Sequence, residues 1–158
     1  MEPLKSDIEI PFRFTERPTP LAGDLRPAWR IGLILLILFY SRGQKATLQK
    51  LHLLNSACCS NATRQAYLRY ARGEARKDEI ISRIEPSLNR ALNFARGEGL
   101  LEIEKGKNMK LTPAGLNAAR ELDRTTDCLD AEKAFLKTVK PFATEGNIEE
   151  LFSWNLTI

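Results

Sequence analysis

Residues 97–123 read GEGLLEIEKGKNMKLTPAGLNAARELD, and the fold turns on how this stretch is organised. Gly97 and Gly99 stand where a helix can end in a left-handed residue. Leu101-Glu102-Ile103-Glu104 alternates apolar and charged, the period of a half-buried strand. Lys105, Gly106, Lys107 and Asn108 are turn chemistry between two strand-like runs, and Met109-Lys110-Leu111 alternates again. Thr112 can cap a helix with Pro113 at its first position, where a missing N–H costs little. The stretch therefore predicts a helix end, a strand, a tight turn, a second strand and a helix start.

Working upstream, Pro86 opens a helix whose apolar stripe is Leu88, Ala91, Leu92 and Ala95, spaced i, i+3, i+4, i+7. Asn89, Arg90 and Asn93 lie on the opposite face, with Arg96 on the shoulder. Forked side chains of this kind match the edges of adenine and guanine. Before it, Asn61 or Thr63 opens a helix with Tyr67, Leu68 and Ala71 inward and Arg64, Arg69 and Arg72 outward, ending at Gly73. A short helix is expected over residues 78–84. Thr47 starts another, with Leu48, Leu51, Leu54 and Ala57 at helical spacing. Tyr70-Ala71-Arg72-Gly73-Glu74 and Phe94-Ala95-Arg96-Gly97-Glu98 look alike. One such pair is two similar helix caps, too little for a repeat architecture.

Residues 31–40, IGLILLILFY, are almost purely apolar and sit inside a helix expected over residues 25–41, with Asp24 as cap. A bilayer span needs roughly 20 residues, so no membrane segment is read here. A helix apolar on every side must be covered all round. The chain ends carry the other apolar faces. Ile8, Ile10, Phe12 and Phe14 alternate with polar residues, and so do Phe152, Trp154, Leu156 and Ile158, so each end predicts a one-sided strand. From these faces, Phe12, Phe14, Ile34, Leu38, Phe152, Trp154 and Leu156 are the expected protein-interface residues. The apolar helix is expected to join the chain to a second copy or to a larger subunit. Between the polar joint after Leu122 and Pro141, a helix is expected over residues 130–140, with Phe135, Leu136 and Val139 inward. Asn147 with Glu150 resembles a capping box for one more short helix.

The chain has 158 residues, 43% hydrophobic and 28% charged, and a formal net charge of +4, the profile of one ordinary folded domain. Its charge is segregated. Residues 26–77 contain ten Lys or Arg against one acid, Glu74, whereas residues from 80 onward contain eleven basic and twelve acidic residues. Such a cluster suits nucleic acid or an acidic protein surface. The candidate nucleic-acid contacts are Arg64, Arg69, Arg72, Asn89, Arg90, Asn93, Lys105 and Lys107.

Catalytic signatures are absent from the sequence. No G-x-S-x-G occurs, and Gly43-Gln44-Lys45-Ala46-Thr47 lacks the spacing of a phosphate loop. His52, the only histidine, sits in an apolar helix and reads as a packing residue. No Cys-x-x-Cys pattern accompanies it, so no structural zinc site, catalytic residue or cofactor is expected. The three cysteines, Cys58, Cys59 and Cys128, include an adjacent pair that does not meet disulfide geometry comfortably, and a reducing cytoplasm is the expected setting.

A helix closing through a short hairpin into another helix resembles the winged helix, and Leu111-Thr112-Pro113-Ala114-Gly115 resembles the segment after the wing in many bacterial winged-helix proteins. The resemblance implies a mainly α fold with a small β component, a winged helix-turn-helix. It divides the chain into an extended N-terminal arm (1–25), a winged-helix domain (26–123) with a helical insertion (about 61–84), and a C-terminal helical and strand extension (124–158). Such domains serve both as DNA readers and as protein-docking modules. The run PFRFTERPTPLAGDLRPAWRIGLILLILFYSRG, then LQKLHLLN, then the wing, further resembles the small middle components of bacterial three-component ABC-ATPase systems of the Lamassu-like anti-phage type. What this implies is a non-catalytic accessory subunit that docks on an SMC-like ATPase beside an effector, often a nuclease, near double-stranded DNA. The alternative is a DNA-binding transcriptional regulator.

Overall fold

The computed structural model describes residues 27–80 and 84–155, residues 153–155 by backbone alone. Among these residues the protein is mainly helical, with a small three-stranded antiparallel sheet. In chain order the elements are α1 (Pro27–Tyr40), β1 (Lys45–Thr47), α2 (Leu48–Cys59), α3 (Asn61–Ala71), α4 (Pro86–Gly97), β2 (Leu101–Glu104), β3 (Asn108–Leu111), α5 (Pro113–Arg124), α6 (Asp130–Val139) and α7 (Glu145–Asn155). Short 3-10 turns cover Arg42–Gln44 and Lys77–Glu79. The sheet order is β1-β3-β2.

Helix α1 is the centre of the molecule. Leu33, Ile34, Leu35, Leu36, Ile37 and Leu38 are six consecutive buried residues, which no helix achieves with one stripe alone. Helices α2, α4, α5 and α6 all pack on it, and β1 and β3 also touch it. Gly32 lets α1 pass close to its neighbours: a Cβ there would stand 3.2 Å from Leu122 and 3.5 Å from Leu129. Burial of each such side chain contributes roughly 1.5–3 kcal/mol. Ile34 and Leu38 are both 0% exposed. Their expected role as interface residues is therefore overturned: the protein's own later helices, not a partner, cover the far side of α1.

The stretch over residues 97–123 folds as read, through one compact junction. Leu100 N–H donates to Ala95 O at 2.9 Å and Gly99 N–H to Arg96 O at 3.0 Å, closing the end of α4. Lys105 and Gly106 both take positive φ, and Lys107 N–H reaches Glu104 O at 3.3 Å, which turns the hairpin. Strand pairing sets Leu101 opposite Leu111 and Ile103 opposite Met109. Thr112 then joins the pieces. Its hydroxyl donates to Gly99 O at 2.6 Å and accepts from Gly115 N–H at 3.1 Å, and its own N–H donates to Leu100 O at 3.1 Å. Gly115 lies so close that a Cβ would meet Leu100 O at 2.0 Å.

Elsewhere the structure corrects the sequence reading. Of the helix expected over residues 78–84, the described residues form the 3-10 turn Lys77–Glu79, and residues 81–83 lie outside the described residues. Leu48 is exposed at the first turn of α2, while Leu53 is buried instead. The C-terminal strand is replaced by α7: Phe152 and Trp154 fall within a helix, because Ile148 and Leu151 are buried at helical spacing with Phe152 half-buried beside them. Thr144, not Asn147, caps it, accepting from Asn147 N–H at 3.2 Å. Phe12, Phe14, Leu156 and Ile158 lie outside the described residues.

Gly115→Ala should destabilise the fold by about 1–3 kcal/mol or more, because the clash is with backbone that cannot step aside. Thr112→Ala should cost about 1 kcal/mol as a lost cap. Urea unfolding of the two variants checks the order, with Gly115→Ala the worse.

Candidate functional site

Helix α4 presents the clearest functional face. Leu88, Ala91, Leu92 and Ala95 are buried against the core, which turns Asn89, Arg90, Asn93 and Arg96 to solvent as expected. Phe94 shares this outer face and is 59% exposed, four residues on from Arg90 and so directly beside it. Its aromatic ring stands on the polar side of the stripe, and this misplaced ring is the signal by which the sequence marks it. Ile103, 43% exposed on β2, is a further large apolar side chain in water.

The expected nucleic-acid contacts do not stand together. Asn89 is exposed, but its side chain also hydrogen-bonds His52 of α2. Lys105 and Lys107 are exposed at the hairpin tip. Glu104 beside them draws in Lys45 Nζ at 2.6 Å and Lys110 Nζ at 3.3 Å, and these two hydrogen bonds hold its carboxyl below the usual range. Arg69 on α3 and Arg72 just past its end are exposed, and α3 packs on α2 and α6. Arg64 is a correction. Its Nε donates to Ala57 O at 3.2 Å and its Nη2 to Cys58 O at 2.7 Å, so it satisfies the open carbonyls at the end of α2 and is not free for phosphate.

Folding also cancels the segregated charge. Seven cations of the basic segment have carboxylates within 4 Å: Arg30 with Glu85, Lys45 with Glu104, Lys50 with Glu145, Arg64 with Glu132, Arg69 with Glu79, Arg76 with Asp78 and Lys77 with Glu150. Five of those seven acids come from residues beyond 80. Among the described residues of the segment, only Arg42 and Arg72 have no such partner.

Beneath α4 lies a buried polar network that no motif announced. Arg30, 1% exposed, donates from Nη1 to Asn55 Oδ1 at 2.7 Å and to Glu85 Oε2 at 2.9 Å, and Asn55 Nδ2 reaches the same Glu85 oxygen at 3.3 Å. The network ties α1 and α2 to the residue that precedes α4. A charge at the edge of an apolar helix was the available signal. His52 is buried nearby as a packing residue, and its Nδ1 has no hydrogen-bond partner. Burial lowers its pKa, against smaller opposing effects of Asn89 and Glu85. Cys58 is buried and its thiol is pushed up by desolvation, the opposite of an activated nucleophile.

Among the described residues no cluster of three or more His, Cys, Asp or Glu is arranged to hold a metal ion, and no helix is long and apolar enough to cross a membrane. Comparison of the chain with protein-family models, with curated proteins and with solved structures returns no match.

The depressed pKa of His52 has a definite sign for stability. The folded state holds the ring neutral, while the unfolded chain protonates it near pH 6.5. Its contribution is complete above about pH 6.5 and is lost as pH falls from there toward the folded pKa, by at most about 1.4 kcal/mol per pH unit. Denaturant midpoints measured between pH 7.5 and about 5 should fall for the native protein and fall less for His52→Leu.

Proposed function

We propose that this chain is a non-catalytic winged-helix docking subunit of a larger ATPase assembly, of the SMC-like anti-phage type that its sequence pattern resembles. The winged-helix reading is supported by the order α1-β1-α2-α3-α4-β2-β3 and by the strand order β1-β3-β2; in this reading the β2–β3 hairpin is the wing and α4 the helix before it. In this reading the chain works beside an SMC-like ATPase and an effector such as a nuclease. It sits near double-stranded DNA without reading its sequence.

The observation that carries docking over DNA reading is Phe94. A recognition surface for duplex DNA is positively charged, with side chains that reach phosphates and base edges. Here the helix face offers a large exposed ring beside Arg90, and Glu98 and Glu102 are exposed on the same connection. An aromatic next to an arginine is the composition of a protein-interface anchor. The neutralised basic segment supports the same choice. The exposure of Asn89, Arg90 and Asn93 is what favours the transcriptional-regulator alternative.

The two readings separate experimentally. Tagged protein co-expressed from its native operon should co-purify with the ATPase subunit encoded beside it. Phe94→Ser should weaken that capture about tenfold or more while leaving the melting temperature unchanged, since the ring contributes little to the core. Gel shifts should show only weak, salt-sensitive DNA binding. Undiminished assembly by Phe94→Ser would remove α4 as the docking face. Tight sequence-selective DNA binding that persists at high salt would replace the subunit reading with the regulator.

A further inference from the structure

We propose that the cleft bounded by the end of α1, the turn before β1 and the connection between α6 and α7 is a binding site for a phosphate-bearing ligand of nucleotide size. The cleft measures about 1030 Å³. Pockets of roughly this size take up small organic ligands. Arg42, Lys45, Lys50 and Lys140 line it, against one carboxylate, Glu145.

Lys50 is the telling residue. Its side chain is 4% exposed and lines the cleft, and no hydrogen bond within the described residues is formed by its Nζ, which is not sealed from solvent as the orphaned nitrogens of Arg30 are. The nearest carboxylate oxygen is Glu145 Oε1 at 3.9 Å, too far for a hydrogen bond. Glu145 is itself engaged by Thr47, whose N–H reaches Oε1 at 3.3 Å and whose hydroxyl reaches Oε2 at 2.8 Å. Burial lowers the Lys50 pKa, and Glu145 offsets this only in part. A buried ammonium with so loose a partner weakens the fold, and an anion in the cleft would complete its surroundings.

The rest of the cleft suits that anion. Arg42 and Lys140 are exposed and have no carboxylate partner among the described residues, so both are free to close on a phosphate. Lys45 contributes less, being held by Glu104. The N-terminus of the eleven-residue α7 opens on the same space. Gly146 there has nothing within 4 Å of where a Cβ would stand, so a ligand can approach the first backbone amides of the helix, the positive end of its dipole. Phe39 and Pro141 supply an apolar wall against which a flat base can rest.

Isothermal titration of the full chain at low salt, without magnesium, tests the proposal with ATP, inorganic tripolyphosphate and adenosine as probes. ATP should bind at one site, tripolyphosphate more weakly, and adenosine not at all. Lys50→Met keeps the volume and removes the charge. It should bind ATP about tenfold more weakly or worse while raising the melting temperature of the free protein. Lys140→Glu, at an exposed position, should weaken ATP to a similar degree without altering the melting temperature, and it keeps the test valid if Lys50→Met fails to fold. No saturable binding of ATP or tripolyphosphate would overturn the site, and so would full-strength ATP binding by Lys140→Glu. Adenosine binding as tightly as ATP would overturn the role of phosphate. Tripolyphosphate binding as tightly as ATP would overturn the nucleotide-sized ligand.

Discussion

A helix that is apolar on every side has to be surrounded, and the architecture follows from how the chain surrounds α1. Residues 33–38 leave no solvent face, so elements distant in sequence must converge on one axis. Helices α2 and α4 cover one part, and α5 and α6 complete the circle. The ends of α1 are where polarity returns. Arg30 at the beginning is fixed by Asn55 and Glu85, Ser41 just past the end turns its hydroxyl back to Ile37 O at 2.7 Å, and Tyr40 donates to Asp123 of α5. The C-terminal extension is thus part of the core and not an appendage. A chain ending near Asp123 would lack α6 and leave that side of α1 in water.

With α1 satisfied internally, the proposed docking surface rests on α4 and the hairpin, where Phe94 and Ile103 stand in water. The junction at Thr112 and Gly115 holds that surface in place, because it locks the end of α4, the start of β2 and the first turn of α5 through three hydrogen bonds on one residue. Rigid placement matters for docking, since a preformed face loses less entropy on binding than one that must be ordered first. The Arg30–Asn55–Glu85 network steadies the other end of α4, so the exposed ring of Phe94 rides on a helix fastened at both ends.

Local signals in the sequence were read well, and non-local ones were not. The α4 stripe, the hairpin, the Thr112 cap and the inward face of α6 all depend on residues within a few positions of one another, and each stands as read. Strand β1 escaped because three residues, Lys45 to Thr47, have no pattern of their own; they are a strand only because β3 lies beside them. The short helix expected from Asn147 is the first part of α7; its end is hidden by the alternation that begins at Phe152, although Ile148 and Leu151 already carry a helical stripe. The expectation that a partner covers α1 rests on a correct premise and meets a different solution. The helix does need covering on all sides, and the chain beyond Leu122 supplies the apolar surface, with Phe135, Leu136 and Val139 in the same core.

The fate of the basic segment shows why charge along a sequence is a weak guide to charge on a surface. Five of its cations meet acids from the second half of the chain, so two oppositely biased stretches neutralise each other once folded. Arg30 and Lys50 leave the surface altogether, and Arg64 closes the end of a helix. These pairings differ in kind. Arg30 is held at hydrogen-bond distance within a network, whereas Lys50 lies 3.9 Å from its carboxylate, beside an open cleft. A structural cation is one whose donors the fold itself satisfies. By that measure neither is wholly structural: Arg30 is bonded at Nη1 but its buried Nε and Nη2 have no partner, and Lys50 has only the loose Glu145. What sets Lys50 apart is its company, since Arg42 and Lys140, both without a carboxylate partner among the described residues, line the same cleft, and this is why the proposed anionic ligand is assigned there and not to the basic segment as a whole.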